Sequence, residues 1–214
     1  MNPVAAGALA LRLAVFAKAP VPGYAKTRLI PLLGADGAAR LAATLIERTL
    51  ALAEAVRPRA LTLWCAPSAD HPHFRTLAAG RPGLRLGTQR GADLGARMHA
   101  AFVDELAHGP TLLIGCDCPP LAPAHLHAAA RALLGDATTA PADAVFLPAE
   151  DGGYVLVGLH RPQPALFADL PWSTSALMAA TRARLRAAGL RWCEPATLWD
   201  LDRPADYRRW LMEP

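Results

Sequence analysis

Thr111-Leu-Leu-Ile-Gly-Cys-Asp117-Cys-Pro-Pro120 is an apolar run that stops on one carboxylate and is followed by two prolines, which cannot extend a strand. A run of this length and composition reads as a buried strand over 111–117. On either side lie Ala/Leu/Arg stretches with apolar residues every three or four positions, Leu94 to Leu106 and Pro123 to Leu134, which read as helices. The alternation continues outward. Residues 11–17, 60–66, 143–149 and 153–159 read as further strands, and Gly37 to Val56, Ser175 to Ala188 and Pro204 to Leu211 as further helices. Strands alternating with helices imply right-handed crossovers and a largely parallel sheet covered on both faces, an α/β fold. Residues 143–159 hold two runs too close together for a helical crossover, so some antiparallel pairing is expected there.

The composition agrees with one compact domain spanning 1–214, long enough to bury a core without disulfides or structural metal. Hydrophobic residues make up 53% and charged residues 19%, which argues against disorder. No uncharged apolar run reaches the roughly 18 residues of a membrane span, so no span is expected. The stretch 1–20 lacks the basic start of a signal peptide and reads instead as leading into the first strand. Cys65, Cys116, Cys118 and Cys193 have neither the density nor the paired spacing of a disulfide framework, which suits a reducing cytoplasm. A net charge of +4, with arginines scattered over helical segments, gives no reason to expect a nucleic-acid partner.

In open α/β sheets, ligands sit beyond the carboxyl ends of the strands. After the first strand comes Lys18-Ala-Pro-Val-Pro-Gly23-Tyr-Ala-Lys26-Thr27-Arg28, three cations and a flexible glycine between a strand and a helix. Backbone N–H groups at such a turn attract anions and the cations supply countercharge, so this segment reads as a phosphate cradle. It is neither a Walker A loop nor a dinucleotide fingerprint. Asp117, at the end of its strand, suits Mg²⁺ or Mn²⁺ shared with diphosphate oxygens, or else a helix cap.

Glu150-Asp151-Gly152-Gly153-Tyr154 joins two strands. Turn chemistry accounts for Asp-Gly, while adjacent acids beside a metal could act as a base or position a hydroxyl. In Trp199-Asp200-Leu-Asp202-Arg-Pro204, Asp202 is either a helix cap or, with Asp200 as the alternative, a second carboxylate for the metal of Asp117. Two further segments are candidate pocket walls. In Gln89-Arg-Gly91-Ala-Asp93-Leu-Gly95-Ala-Arg97, Asp93 and Arg97 form either an i,i+4 ion pair or a ligand contact. In Pro171-Trp172-Ser173-Thr174-Ser175, the hydroxyls are natural caps and Trp172 is either core or a stacking platform. His71 and His73 read as part of a loop, and no zinc-binding helix pair or nucleophile elbow is present.

Taken in order, the Lys18–Arg28 loop, the Gly91/Asp93/Gly95/Arg97 segment, Gly115-Cys-Asp117-Cys-Pro119, Glu150-Asp151-Gly152-Gly153-Tyr154 and Asp200-Leu-Asp202-Arg-Pro204 resemble a bacterial family of glycosyltransferase-A-like proteins of poorly defined function, some assigned to arsenosugar biosynthesis. The resemblance implies the nucleotide-diphospho-sugar transferase fold, three α/β/α layers around a mostly parallel sheet with one reversed strand. It implies donor phosphates on Lys18, Lys26 and Arg28, with Gly23 and Thr27 in the same loop and Gly91, Asp93 and Arg97 beside it. A Mg²⁺ or Mn²⁺ ion would sit on Asp117, with Asp202 as second ligand. Asp151, Gly152, Gly153, Tyr154, Trp172 and Ser173 would lie on the acceptor side. Ala96 and Arg203 depart from the family pattern, which commonly has an acidic residue and a threonine there. The expected activity is metal-dependent glycosyl transfer from a nucleotide-diphosphate sugar to a small molecule. The alternatives are nucleotidyl transfer from a nucleoside triphosphate to a phosphorylated or carboxylated metabolite, and a non-catalytic nucleotide-binding module. The oligomeric state is not readable.

Overall fold

The computed structural model describes residues 8–213; Pro214 and residues 1–7, the start of the stretch read above as leading into the first strand, lie outside the described residues. In chain order the elements are β1 (Arg12–Lys18), α1 (Ile30–Ala55), β2 (Ala60–Ala66), α2 (Pro72–Ala79), β3 (Leu84–Thr88), α3 (Leu94–Leu106), β4 (Thr111–Gly115), α4 (Pro123–Leu134), β5 (Ala144–Pro148), β6 (Tyr154–Leu159), α5 (Leu177–Ala187), β7 (Trp192–Cys193) and α6 (Pro204–Met212). Short 3₁₀ turns occupy Thr27–Leu29 and Pro164–Leu166.

The strands form one seven-stranded sheet in the order β3-β2-β1-β4-β6-β5-β7. Every pairing is parallel except those of β6, which runs antiparallel to both β4 and β5. The reversal follows from the connection: only five residues separate Pro148 from Tyr154, enough for a turn and too few for a crossover helix.

Alternating side chains divide the core into two layers. Leu13, Val15, Leu63, Leu112 and Ile114 face one side, against Ile46 and Leu50 of α1 and Leu126 and Leu133 of α4. Ala14, Phe16, Trp64, Leu113 and Val157 face the other, against Phe102 of α3 and Met178 and Leu185 of α5. This is the three-layer α/β/α arrangement expected from the sequence. A satellite cluster of Leu29, Leu41, Leu45, Trp199 and Leu201 ties the start of α1 to the segment before α6.

At the amino end of β1, Arg12 and Glu105 are buried together. Arg12 Nε donates to Glu105 Oε2 at 2.7 Å, its Nη2 lies 2.6 Å from the same oxygen, and Trp64 Nε1 donates to Oε1 at 3.2 Å. Both carboxylate oxygens therefore have partners.

Several expectations are corrected. Residues 71–79 are not a loop: His71 caps α2, its ring accepting from the His73 N–H, and His73 lies inside the helix. β3 and β7 add two edge strands. β4 ends at Gly115, two residues short of Asp117. α1 starts at Ile30, seven residues early, because a non-helical Gly34 (φ 70°, ψ 167°) joins a short helical lead-in to the predicted helix. One 18-residue window of the helical stretch Thr27–Ala55 is apolar enough to cross a membrane by composition, although the stretch carries Arg28, Asp36, Arg40, Glu47, Arg48 and Glu54. Its Ala38, Ala42, Leu45, Ile46, Leu50 and Ala53 are spent on the protein core.

Candidate functional site

Of the residues singled out above, Lys26, Arg28, Asp117, Asp151, Asp200 and Asp202 come together beyond the carboxyl ends of β1 and β4. β1 delivers Lys18, exposed, whose Nζ donates to the Tyr24 carbonyl at 2.7 Å across the loop. The turn closes through Tyr24 N–H and Ala25 N–H, both donating to the Val21 carbonyl at 3.0 Å, with Gly23 at φ 82°, a conformation that favours glycine. Thr27 and Arg28 follow on the exposed 3₁₀ turn.

Lys26 does not project from the loop as a free cation. Its ammonium is 2.7 Å from Asp117 Oδ1 and also donates to the Leu201 carbonyl. Its side chain is only 6% exposed, against 59% for Asp117. The Leu201 N–H donates to the Asp117 carbonyl at 2.6 Å, so backbone and side chain together bind the end of β4 to the segment before α6. Asp117 is thus an accessible carboxylate and not a helix cap. Its neighbours Cys116 and Cys118 point into the core, where burial pushes the Cys116 thiol far up and the Cys118 thiol up to about 12.

Asp202 is not a helix cap either. It pairs with Arg28, while Asp206 does the capping by accepting from the N–H groups of Asp202 (3.1 Å) and Arg203 (2.7 Å). Asp200, weighed above only as the alternative to Asp202, carries the clearest electrostatic signature of the site. Partial burial, then the charges of Asp151, Asp202 and Asp117, push its carboxyl up to about 6. Asp151 is exposed, and its Oδ1 accepts from the Gly153 N–H at 2.8 Å, leaving the other oxygen clear of the turn. Glu150 turns away to Arg209, 2.8 Å distant on α6.

The turn 149–153 is fixed by Gly152. At φ 93°, a Cβ there would lie 2.1 Å from the Ser175 carbonyl oxygen, and the Gly152 carbonyl accepts from Met178 N–H at 2.8 Å. Tyr154 and Trp172 meet edge to face, ring centroids 6.4 Å apart, and Trp172 in turn packs on Gly95 at the start of α3. Ser173, beside it, is exposed at φ 62°. The hydroxyl that caps toward α5 is that of Thr174, which accepts from Ala176 N–H at 3.3 Å. Asp93 caps α3, accepting from Ala96 N–H at 2.8 Å, and Arg97 donates to the Gly91 carbonyl, so the two form no ion pair. These contacts are local, while charge is concentrated at Lys26, Arg28 and the four aspartates.

Among the described residues, no three His, Cys, Asp or Glu side chains converge into a ready-made metal cage. An ion such as Mg²⁺, held by one or two carboxylates plus phosphate oxygens, needs none. Lys26 and Arg28 neutralise two aspartates, while Asp151 and Asp200 have no cation within ion-pair distance among the described residues. The surplus of negative charge on hard oxygen donors fits a divalent ion, with Asp117 and either Asp200 or Asp202 to hold it.

The fold and this site define the class: an α/β protein of the nucleotide-diphospho-sugar transferase fold. The chain resembles a provisionally assigned nucleotide-diphospho-sugar transferase from Desulfovibrio desulfuricans G20, at 26% identity over 90% of this chain and 82% of that one, TM-score 0.79. An inositol-1-phosphate CTP transferase from T. maritima shares the fold at 11% identity (97% and 95% covered, TM-score 0.60). So does Rv0371c of Mycobacterium tuberculosis H37Rv, solved in complex with manganese, at 18% identity (95% and 100% covered, TM-score 0.57). No curated protein sequence matches. The chain belongs to the family described as "Uncharacterized protein conserved in bacteria (DUF2064)", whose model matches residues 49–174. That span contains Asp117 and the Asp151 turn; the Lys18–Arg28 loop and Asp200–Asp202 lie outside it.

Proposed function

We propose that this protein is a metal-dependent glycosyltransferase that takes a sugar from a nucleotide-diphosphate donor and passes it to a small-molecule acceptor, with residues 1–214 as one catalytic domain in the cytoplasm. The observation that carries the reading is the surplus of carboxylate over cation around Asp117, Asp151, Asp200 and Asp202 at the carboxyl ends of the strands. Its likeness to the Desulfovibrio protein supports the donor class.

Asp117, with Asp200 or Asp202, would hold Mg²⁺ or Mn²⁺, and the ion would neutralise charge on the departing diphosphate. Lys18 and Arg28, both exposed, would add countercharge to the same phosphates. Arg28 must trade part of its bond to Asp202 to do so. Asp151, with one carboxylate oxygen clear of the turn, would orient an acceptor hydroxyl and take its proton, and Tyr154, Trp172 and Ser173 would border the acceptor side. Nucleotidyl transfer from a nucleoside triphosphate is the second reading, favoured by the CTP-dependent T. maritima neighbour, whose fold spans nearly this whole chain.

The test is thermal stabilisation by a panel of nucleoside di- and triphosphates and nucleotide sugars, with and without Mg²⁺ or Mn²⁺, on wild type and Asp117→Asn. Metal-dependent stabilisation by one nucleotide sugar or its diphosphate, lost in Asp117→Asn, is the expected result. Preference for a triphosphate, with pyrophosphate released on turnover, would replace it by nucleotidyl transfer. Metal-independent binding unchanged in Asp117→Asn, without turnover, would leave a non-catalytic nucleotide-binding module.

A further inference from the structure

Lys18 and Lys26 are the only lysines in a chain whose Lys and Arg total 22. Arginine serves everywhere else, yet Lys26 sits where a compact ammonium is required. Its Nζ fits between Asp117 Oδ1 and the Leu201 carbonyl, a space enclosed enough to leave the side chain 6% exposed. A planar guanidinium spreads its donors over a wider fork and cannot replace a point charge there. The backbone of Lys26 is left-handed (φ 48°, ψ 45°), a conformation non-glycine residues adopt only when their surroundings hold them. The ammonium donates to the Leu201 carbonyl, its charge lies 2.7 Å from Asp117 Oδ1 and its side chain is 6% exposed, so little of the group faces an incoming phosphate. Lys18 and Arg28, by contrast, stand exposed.

We propose that Lys26 is a positioning residue, the resident counter-cation of Asp117 with which a divalent ion competes, and not a group that grips the donor phosphates. The proposal rests on the reading of Asp117 as a metal ligand. In the metal-free protein the ammonium neutralises Asp117 and, through the Leu201 carbonyl, holds Asp200 and Asp202 beside it. An ion arriving at Asp117 meets a positive charge 2.7 Å from the oxygen it needs, so its affinity is set partly by Lys26.

The experiment uses Mn²⁺ alone, without nucleotide, titrated into wild type, Lys26→Gln, Lys18→Gln and Asp117→Asn, with free Mn²⁺ read by electron paramagnetic resonance. Lys26→Gln keeps an N–H donor for Leu201 and removes the charge. It is expected to bind Mn²⁺ roughly tenfold tighter than wild type, while Lys18→Gln, whose ammonium bonds the Tyr24 carbonyl and not Asp117, changes the affinity far less and Asp117→Asn binds far more weakly. Unchanged or weaker Mn²⁺ binding by a cooperatively melting Lys26→Gln protein would overturn the proposal and leave Asp117 as a ligand. Absence of Mn²⁺ binding in wild type, with or without nucleotide, would sink the metal reading and this one with it. Should Lys26→Gln fail to fold, acetylation of the wild-type protein, read by peptide mass spectrometry, gives the answer on two lysines. Lys18 should react quickly and Lys26 slowly, with saturating Mn²⁺ raising the Lys26 rate several-fold; an unchanged Lys26 rate at saturation would count against the exchange.

Discussion

The two ends of β1 hold charge in opposite ways. At the amino end, Arg12 and Glu105 are buried with Trp64, and every carboxylate oxygen has a donor. At the carboxyl end, Lys26 and Arg28 face four aspartates, one of which is pushed up to about 6 by burial and by the other three. A closed set of partners serves the fold, because a buried charge is tolerable only when paired and hydrogen-bonded. An open set stores unfavourable electrostatic energy that a cationic ligand can release.

If that contrast holds, removing an acid at the two ends should move stability in opposite directions. The largest effect is expected at the closed end: Glu105→Ala strands the Arg12 guanidinium in the core and should cost about 3–5 kcal/mol in denaturant unfolding. A cost under about 1 kcal/mol would show that Arg12 finds water and that the end is not closed. Next, Gly152→Ala tests whether the open end is held by backbone instead of ion pairs. A methyl group at φ 93°, 2.1 Å from the Ser175 oxygen, should cost roughly 2–4 kcal/mol by the same measurement. A near-neutral result would mean that the turn at 149–153 shifts freely.

The smallest effect has the opposite sign. An acid whose carboxyl is raised in the folded protein destabilises it when ionised, so the penalty of Asp200 is absent below the unfolded value near 4, grows between pH 4 and 6 and is complete above about 6. Asp200→Asn should therefore stabilise the protein by about 1 kcal/mol at pH 7.5, after allowing for solvent screening of this partly exposed group, and by nothing at pH 3.5. Saturating Mn²⁺ should shrink the advantage. Melting curves at the two pH values decide it, and destabilisation at pH 7.5 would show that the aspartates are not in excess.

Much of this molecule was legible in residue order. The five strands at 11–17, 60–66, 111–117, 143–149 and 153–159 are apolar runs bounded by breakers, and the short connection within 143–159 announced antiparallel pairing there; that β6 is the reversed strand is given by its pairing. β3 was missed because Leu84-Arg-Leu-Gly-Thr88 is short, charged and Gly-containing, its place on the sheet given by pairing with β2. β7 is two residues long and exists only through β5. At the site, residue type and position beyond a strand were enough to pick out Asp117, Asp151, Lys18 and Arg28 as candidates. The partner of Lys26 was not readable, because Asp117 and Leu201 lie 91 and 175 residues away and nothing local marks a lysine as enclosed. Nor was the division between Asp200 and Asp202, which only the approach of Arg28 separates.

The backward run of β6 separates what could drift under selection. β1 and β4 bring their carboxyl ends to the site between helices that also build the core, so residues there are constrained twice. The turn between Ala149 and Gly153 reaches the same edge from a hairpin, and its length is not set by any helix. Because Gly152 is seated against Ser175 and its carbonyl accepts from Met178 N–H, a change in that turn would be felt first at the start of α5 and not along β1.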